Sequence, residues 1–473
     1  MKTDSPKIKN PYQDLFDLQK ENQYNVANTA YKERKAKLNA LKYALEKTYR
    51  SKLQKAMYDD FKKPILETDL TEIYQVVGEI KYAKKHLKEW MWNQYAKTPI
   101  TLLGSSSWVK YEPKGVCLII SPWNFPINLT FGPLVSAIAA GNTIILKPSE
   151  MTSHTSSVMG EIIEELFPNN EVALVEGGAN VSKELLELPF NHIFFTGSPS
   201  IGKLIMKSAA EHLTSVTLEL GGKSPTIVDK TANLKMAAQR IVWGAFLNNG
   251  QTCVAPDYVL VHENRKEKLV EEIKKQLEKF YSNNPSTSES YSRIVNKHHF
   301  NRLVNYIENA KETGGIIEIG GDFNEKDNYL APTIISNLPN NAKLLQEEIF
   351  GPILPIVTYK TIDEAIQYVN SHERPLALYI FSTNRKTMNH ILTHTRAGST
   401  GINNSVLQFT NHNLPFGGVN TSGIGKSHGF YGFQEFSNIR SVLKQHTIGP
   451  TSFLFPPYNK LKQKLANITI KWL

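Results

Sequence analysis

Two residues near the middle of the chain have the types that covalent catalysis needs. Cys253 ends the polar segment Asn248–Cys253, and Glu219 lies at the end of an apolar run, separated by one residue from a pair of glycines. A deprotonated thiol is a strong nucleophile, and a half-buried carboxylate can accept a proton near neutral pH. The pair predicts an acyl intermediate on sulfur that is then hydrolysed. The other cysteine, Cys117, lies inside an apolar run and is expected to be an inert buried thiol.

Three further loops carry polar or glycine residues directly after apolar runs. Asn124 lies between two prolines that stiffen its turn, and its side-chain amide could donate to a developing oxyanion. Lys147 and Glu150 could bind a ribose diol, although most such residues are simply solvated. The turn from Gly197 to Gly202 begins a helix and could accommodate a pyrophosphate. Its glycine spacing differs from the usual dinucleotide fingerprint, so a tight turn without a ligand stays open.

These loops follow short apolar runs that alternate with helix-compatible segments. Such alternation predicts parallel strands covered by helices on both faces. We therefore predict an α/β fold with two open parallel-sheet domains, in which ligands bind beyond the carboxyl ends of the strands. Helices are expected across residues 11–97 and a hairpin or edge ribbon across 101–112. The apolar runs are residues 115–120, 142–146, 172–175, 192–195, 216–220 and 258–261.

The composition is that of an ordinary globular protein and excludes several classes. The 473 residues exceed what one core usually supports, so two or three domains are expected. The net charge is +10, but the basic residues are scattered, which argues against nucleic-acid binding. Two cysteines cannot build a disulfide framework, and no Cys/His cluster indicates a metal site. No run reaches the roughly 18 apolar residues of a membrane span, and the start lacks a signal peptide, so we expect a cytoplasmic location.

Taken together, the loop motifs resemble those of the aldehyde dehydrogenase superfamily in order and approximate spacing. The resemblance covers residues 10–447. The segment after Cys253 and the C-terminal segment are similar to class 3, the fatty and aromatic aldehyde group. The matching motifs are Pro122–Pro126, Lys147–Glu150, Phe195–Ser198, Glu219–Pro225, Gly250–Cys253, Glu347–Pro352 and Pro415–Gly418.

The resemblance implies oxidation of an aldehyde, medium- or long-chain aliphatic or aromatic, to the carboxylic acid with NAD(P)+. A thiohemiacetal and then a thioester would form on Cys253, Asn124 would hold the oxyanion, and Glu219 would activate the hydrolytic water. NAD is the expected cofactor because Glu150 would repel a 2′-phosphate, and NADP is the alternative. The residues implied in cofactor binding are Trp123, Lys147, Glu150, Gly197, Ser198, Ile201, Gly202, Glu348 and Phe350, and no metal ligand is implied.

A division of the chain follows from the same resemblance. Residues 1–90 and 110–221 would form a Rossmann-like dinucleotide-binding domain, and 222–436 the catalytic domain. Residues 91–109 and 437–447 would form a small β element for oligomerisation, with a homodimer expected. Residues 448–473 would form a basic amphipathic tail, either on a membrane surface or packed on its own protein.

Two other functions stay open at this point. Acyl transfer from Cys253 to coenzyme A would also begin with a thioester, but a hydrolytic base at Glu219 competes with it. A non-catalytic binding protein could keep the fold, but the joint presence of Cys253, Glu219 and Asn124 argues against that. The aromatic side chains expected to line an apolar aldehyde tunnel are Trp123, Phe246, Phe409 and Phe416.

Overall fold

The first sheet has six strands, of which only one edge strand is antiparallel. Its parallel strands are rich in Val, Ile, Leu and Phe because helices cover both of their faces. This computed structural model describes residues 9–446 and 453–472, so the predicted boundaries at residues 1, 447, 448 and 473 lie outside the described residues. In spatial order the strands are Gly423–Ile424, Ser215–Leu220, His192–Gly197, Val116–Ile120, Thr143–Lys147 and Val172–Leu174.

The second sheet has seven strands, and all but one edge pair are parallel. Together the two sheets confirm the predicted α/β class with open, mostly parallel sheets. The predicted apolar runs all correspond to strands. In spatial order the strands of the second sheet are Ile316–Ile319, Thr333–Ser336, Ile353–Tyr359, Tyr258–His262, Pro225–Val228, Ala377–Phe381 and Ser399–Ile402.

Helices cover both sheets and connect their strands. Helix Pro126–Ala140 is apolar on nearly all sides because it is buried, and it packs against helix Tyr74–Trp90 and strand Thr143–Lys147. The other α-helices are Gln13–Ala27, Tyr31–Tyr43, Arg50–Phe61, Ile65–Thr68, Ser153–Leu166, Ala179–Leu186, Pro199–Ala210, Leu234–Phe246, Lys266–Tyr281, Lys297–Glu312, Lys343–Gln346, Ile362–Asn370, Arg385–His394, Gly429–Glu435 and Lys460–Trp472. Two π-helical segments, Ala44–Thr48 and Asp69–Ile73, interrupt the N-terminal helices.

A separate antiparallel ribbon joins distant parts of the chain. Its strands are Gln94–Ala96, Ser105–Pro113 and Ser437–Gln445, with the long middle strand paired to both others. The segment 101–112, predicted as a hairpin or edge ribbon, is one long strand of this ribbon, preceded by a short 3₁₀ turn, Ile100–Leu102. A two-stranded pair, Phe323–Asn324 and Tyr329–Leu330, completes the strands that the structure describes.

Strand Gly423–Ile424 affects the site directly. It pairs with Leu218 and Glu219, so a segment from late in the chain lies beside the carboxyl end of strand Ser215–Leu220. The predicted domain boundaries stay a prediction, and this pairing crosses the one at residue 221. Within the described ranges, no helix is both long enough and apolar enough to cross a membrane.

Candidate active site

Cys253 is presented by an unusual turn at the end of helix Leu234–Phe246. Asn248, Asn249 and Gly250 are three consecutive residues in the left-handed region, with φ values of 53°, 59° and 71°. Asn and Gly tolerate this conformation best, which explains their presence here. Any side chain at Gly250 would also overlap the Gly351 carbonyl oxygen. The turn fixes the conformation of the backbone that carries the Cys253 thiol.

Gln251 holds this turn in place from inside the protein. Its fully buried side chain donates through Nε2 to the carbonyls of Asn248 and Arg293, 3.0 Å each, and accepts through Oε1 from the Val295 N–H at 3.0 Å. On the other side of the thiol, the Tyr379 hydroxyl donates to the Val254 carbonyl at 2.5 Å. Every polar atom of the Gln251 amide is thus engaged, which rigidifies the segment.

Asn124 lies against the same turn. Its Nδ2 donates to the Gln251 carbonyl at 3.0 Å, and its own carbonyl accepts from Asn248 Nδ2 at 2.9 Å. The side chain is buried, and it comes just before helix Pro126–Ala140. One N–H of the amide is therefore anchored, and the second can donate elsewhere.

Glu219 is the next-to-last residue of strand Ser215–Leu220, and its side chain is buried. Its Oε1 accepts a hydrogen bond from the Ser427 hydroxyl at 2.8 Å. Its Oε2 has no hydrogen-bond partner among the residues that the structure describes. Burial raises the pKa of Glu219 to about 8, although the Ser427 hydrogen bond and the Lys426 charge oppose the shift. Such a carboxyl can take and release a proton near neutral pH.

Cys253 itself is partly exposed, whereas Cys117 is buried as expected. Burial, together with the negative charges of Glu348 and Glu219, raises the pKa of the Cys253 thiol to about 12. The thiol is therefore held neutral until a base removes its proton.

Two cavities meet at these side chains. We call them the glycine-side cavity, which includes Gly197, and the histidine-side cavity, which includes His412 and His428. Cys253 and Glu219 line both, so the thiol and the carboxylate can act on a group that arrives from either side. The remaining residues common to both cavities are Leu129, Thr196 and Leu220.

The glycine-side cavity contains five of the residues predicted to bind a cofactor. Ser198 caps helix Pro199–Ala210 by accepting from the Ile201 N–H, so the N-terminus of this helix faces the cavity. Helix N-termini attract anionic groups such as phosphates. The five residues are Trp123, Gly197, Ser198, Glu348 and Phe350.

The other four predicted cofactor residues do not line that cavity. Lys147 is buried and donates to the Pro148 carbonyl at 2.7 Å, and its Nζ lies 3.8 Å from the carboxylate of half-exposed Glu150. Ile201 is largely exposed on helix Pro199–Ala210, and Gly202 is buried against Leu220. All four lie at carboxyl ends of strands in the first sheet or on the helix that follows.

Glu348 lies against the paired glycines that follow Glu219. Its Oε1 accepts from the Gly222 N–H at 3.1 Å, and a side chain at Gly221 would overlap the carboxylate. Burial and the Asp257 charge raise the pKa of Glu348 to about 8. Only glycine at position 221 lets this carboxylate approach the site, which explains one glycine of the pair.

The histidine-side cavity is mainly apolar near Cys253. Of the four predicted tunnel residues, Phe416 lines it, whereas Trp123 lines the opposite cavity. Phe246 is in the core of the second sheet, and Phe409 packs on that core near Phe416. The prediction was wrong for Trp123, Phe246 and Phe409 because the position of a residue in a loop or helix does not reveal which way its side chain faces. Apolar lining residues missed from the sequence include Leu129, Pro133, Phe194, Leu376 and Phe436.

A buried charge cluster supports both catalytic loops from behind. Lys63 donates to Glu72 Oε1 at 2.8 Å, and its Nζ lies 4.1 Å from the centre of the Phe125 ring. Glu72 Oε2 accepts from the Asn128 N–H at 2.9 Å, and Glu67 accepts from the Asn248 N–H at 2.5 Å. The cluster therefore connects residues 63–72 to the loop before helix Pro126–Ala140 and to the turn before Cys253.

Comparison with known proteins gives a consistent picture. The model of the aldehyde dehydrogenase family matches residues 12–442. The 4,4'-diaponeurosporen-aldehyde dehydrogenase of Staphylococcus aureus is 43% identical, covering 90% of this chain and 92% of that protein. Aldehyde dehydrogenase family 3 member B2 of Mus musculus is 40% identical, covering 94% and 93%. The predicted class 3 resemblance is confirmed.

Solved structures agree with these matches. The substrate-bound state of Staphylococcus aureus AldH superposes with a TM-score of 0.93 at 40% identity, covering 97% of this chain and 99% of that one. The NAD+ complex of the aldehyde dehydrogenase from Bacillus cereus superposes with a TM-score of 0.81 at 27% identity, covering 91% and 88%. The chain therefore belongs to the aldehyde dehydrogenase family and is an oxidoreductase that converts aldehydes to carboxylic acids with NAD(P)+.

Proposed function

We propose that Cys253 is the nucleophile, Asn124 the oxyanion donor and Glu219 the hydrolytic base of this reaction. The observation that carries the proposal is the position of Cys253 and Glu219 where the two cavities meet. An aldehyde in the histidine-side cavity and a dinucleotide in the glycine-side cavity would both reach the thiol.

The first step is addition of the Cys253 sulfur to the aldehyde carbon. The thiol loses its proton to solvent as the sulfur adds, so Glu219, whose Oε2 has no partner among the described residues, stays free for the later hydrolysis. The carbonyl oxygen then becomes an oxyanion, which accepts from the second Asn124 N–H and from the Cys253 backbone N–H.

The residues of the glycine-side cavity fit a dinucleotide. Ser198 and the N-terminus of helix Pro199–Ala210 would hold the pyrophosphate, and Glu348 would bind the nicotinamide ribose. Trp123 and Phe350, which line the same cavity, would contact the nicotinamide ring. Bound NAD+ supplies the acceptor for the hydride that leaves the former aldehyde carbon. Loss of that hydride converts the thiohemiacetal on Cys253 into a thioester.

The last step is hydrolysis of the thioester. Glu219 Oε2 accepts a proton from water, whose oxygen attacks the acyl carbon, and the carboxylic acid leaves as the Cys253 sulfur departs. Ser427 fixes the orientation of the carboxylate through its hydrogen bond to Oε1.

Hydrolysis rather than transfer to coenzyme A follows from this placement of Glu219. The test is NADH production from hexanal with and without coenzyme A, with the acid and the acyl thioester quantified separately. We expect hexanoic acid as the product and no change on adding coenzyme A. Formation of hexanoyl-coenzyme A would favour the acylating alternative, and no NADH under any condition would favour a binding protein.

The substrate we propose is a medium- or long-chain aliphatic or an aromatic aldehyde. Phe194, Leu376, Phe416 and Phe436 give the histidine-side cavity an apolar wall, which stabilises hydrocarbon rather than charged substrates. One relative is named for its action on 4,4'-diaponeurosporen-aldehyde. The kcat/KM values for a series of n-alkanals should rise with chain length, and glyceraldehyde should be a poor substrate.

NAD is the proposed cofactor in preference to NADP. The half-exposed Glu150 carboxylate, beside Lys147 and near Gly178, would bind ribose hydroxyls and repel a 2′-phosphate. Gly202, packed against Leu220, would let the helix approach the pyrophosphate, and the exposed Ile201 side chain would lie beside the bound dinucleotide. Glu150→Gln should lower the ratio of kcat/KM for NAD+ to kcat/KM for NADP+. An unchanged ratio would contradict the role of Glu150 in cofactor preference.

A homodimer and a peripheral membrane contact complete the proposal. The antiparallel ribbon exposes Tyr95, Ile439 and Leu443 at a sheet edge, which suits pairing with a second copy. The tail helix Lys460–Trp472 suits an anionic lipid surface. Both cysteines are free thiols, as in a reducing compartment such as the cytoplasm. The homodimer is tested by light scattering coupled to size-exclusion chromatography, which should give twice the mass of one chain.

A further inference from the structure

One cluster in the histidine-side cavity has no part in the reaction above. Glu79, His412 and His428 come from helix Tyr74–Trp90 and from two loops near the end of the chain, yet one ligand atom of each lies within 4.8 Å of the others. All three residues line the cavity that also contains Glu219 and Cys253. Because the residues are far apart in sequence, no spacing motif could have revealed them.

The hydrogen bonding of this cluster is incomplete. His412 Nδ1 approaches Glu79 Oε2 to 2.8 Å, but the contact lacks hydrogen-bond geometry. Nδ1 of His428 is buried and has no partner in the described part of the chain, and the buried Nδ1 of His412 has only this contact with the carboxylate. Buried imidazole nitrogens without partners are costly, so their lone pairs call for a ligand.

The carboxylate, in contrast, is already oriented. Glu79 is buried, and its Oε1 accepts from the Gly429 N–H at 2.7 Å, which turns Oε2 towards His412. The His412 ring packs against Gly78, where a Cβ would lie 2.9 Å from Nε2. In proteins, a metal-ligating side chain is commonly oriented by a hydrogen bond or packing contact that its other atoms make.

We propose that Glu79, His412 and His428 form a Zn2+ site in the wall of the histidine-side cavity. Two imidazoles and one carboxylate are a common ligand set for zinc, which keeps its fourth position for water. Tetrahedral zinc bonds place ligand atoms about 3.3 Å apart. The three ligand atoms lie within 4.8 Å of one another, so zinc binding would draw them to this spacing by side-chain rotation.

Zinc at this position would obstruct the aldehyde. A hydrated cation in the wall of a narrow apolar cavity occupies space that the substrate chain needs, so Zn2+ acts as a reversible inhibitor that competes with the aldehyde and not with NAD+. This consequence rests on the proposed function of the cavity, whereas binding of zinc does not.

The binding test is calorimetric titration of ZnCl2 into the full-length Cys253→Ala protein, in which the reactive thiol cannot be a ligand. We expect one Zn2+ per chain. Adding His412→Gln or His428→Gln should weaken zinc binding by roughly tenfold or more. Removing even a residue that only hydrogen-bonds to a metal ligand typically lowers metal affinity by that much. Two histidine variants are used so that a folding defect in one leaves the other as the test, with thermal unfolding midpoints checked for each.

The matched control is His390→Gln in the same background. His390 is an exposed histidine next to His394, with Nε2 2.6 Å from Asp363, and represents adventitious surface binding. Its loss should leave zinc binding unchanged. No zinc binding by Cys253→Ala, equal binding with and without His412 and His428, or an equal loss in the His390→Gln control would each overturn the site.

A kinetic test addresses the consequence separately. In the wild-type protein, Zn2+ should raise the apparent KM for hexanal without raising that for NAD+, and a chelator should reverse the effect. His412→Gln should remove most of the inhibition relative to its own zinc-free rate. Inhibition that persists in His412→Gln would point to direct attack on Cys253 and would contradict obstruction by this site, even if calorimetry shows binding.

Discussion

At the scale of single residues, the site combines groups that are already oriented with groups that are left free. Asn124 is anchored through one N–H, and Glu219 through one oxygen. The remaining N–H and the unpaired Oε2 are therefore available to the reacting atoms without further rearrangement. Preorganisation of this kind is what makes oxyanion donors and general bases effective.

Asn124→Ala should lower kcat by about 10²–10³-fold, the usual loss when one oxyanion donor is removed. The KM for the aldehyde should change much less, since the donor acts on charge that develops during the reaction. Steady-state kinetics of Asn124→Ala beside Asn128→Ala provides the check, because Asn128 lines the neighbouring histidine-side cavity and its side chain makes no hydrogen bond to the turn before Cys253 within the described ranges. Equal losses in the two variants would contradict the role of Asn124.

The pH dependence should report Glu219. Its pKa is raised to about 8 by burial, so the carboxylate form that accepts the proton of water increases as pH rises, and kcat should rise through pH 8 when hydrolysis limits turnover. The Ser427 hydrogen bond lowers this pKa. Ser427→Ala should therefore move the midpoint of the kcat profile to higher pH. A midpoint that is unchanged, or lower, argues against Glu219 as the titrating base.

At the scale of elements, the loops are held from behind by buried charges. Lys63 pairs with Glu72, and its charge also acts on Glu67. Glu72 accepts from the Asn128 N–H in the first turn of helix Pro126–Ala140, and Glu67 accepts from the N–H of Asn248 in the turn before Cys253. Glu72, whose carboxylate makes these contacts, lies in the π-helical segment Asp69–Ile73. The thiol and its oxyanion donor thus share one rigid support.

Lys63→Met should destabilise the protein by about 3–5 kcal/mol, because it leaves buried carboxylates without their cation. Lys62→Met is the matched control, since Lys62 is the exposed neighbour and its pair with Asp327 lies at the surface. An exposed pair contributes only about 0–1 kcal/mol. Denaturant midpoints of both variants check the prediction, which fails if the two lose equal stability.

At the scale of the whole molecule, the two sheets bring strand ends from remote parts of the chain to one place. The apolar runs made the parallel sheets predictable, and glycine, asparagine and proline marked the loops that carry Cys253 and Asn124. Ser427, Glu79, His412 and His428 could not be predicted. Glu79 reaches the site from helix Tyr74–Trp90. The other three reach it through the segment around strand Gly423–Ile424, whose pairing with Leu218 and Glu219 has no local signal in the sequence.

The tail gives a prediction at this scale. Helix Lys460–Trp472 has four lysines and no acidic residue, and its Leu461, Leu465, Ile468 and Trp472 side chains are exposed. The protein should sediment with vesicles that contain phosphatidylglycerol and much less with phosphatidylcholine alone, and added salt should weaken binding. A version ending at residue 446 should lose this binding and keep its activity on hexanal. Equal sedimentation of both versions would contradict a membrane contact through the tail.

The most direct test of the account is the covalent state of Cys253 in Glu219→Gln. Without the base, hydrolysis should slow by at least about 10²-fold, so rapid mixing with hexanal and NAD+ followed by peptide mass spectrometry should find a hexanoyl group on Cys253. Cys117, the other cysteine, is the internal control and should stay unmodified. Normal turnover of Glu219→Gln with no acyl group on Cys253 would contradict the account.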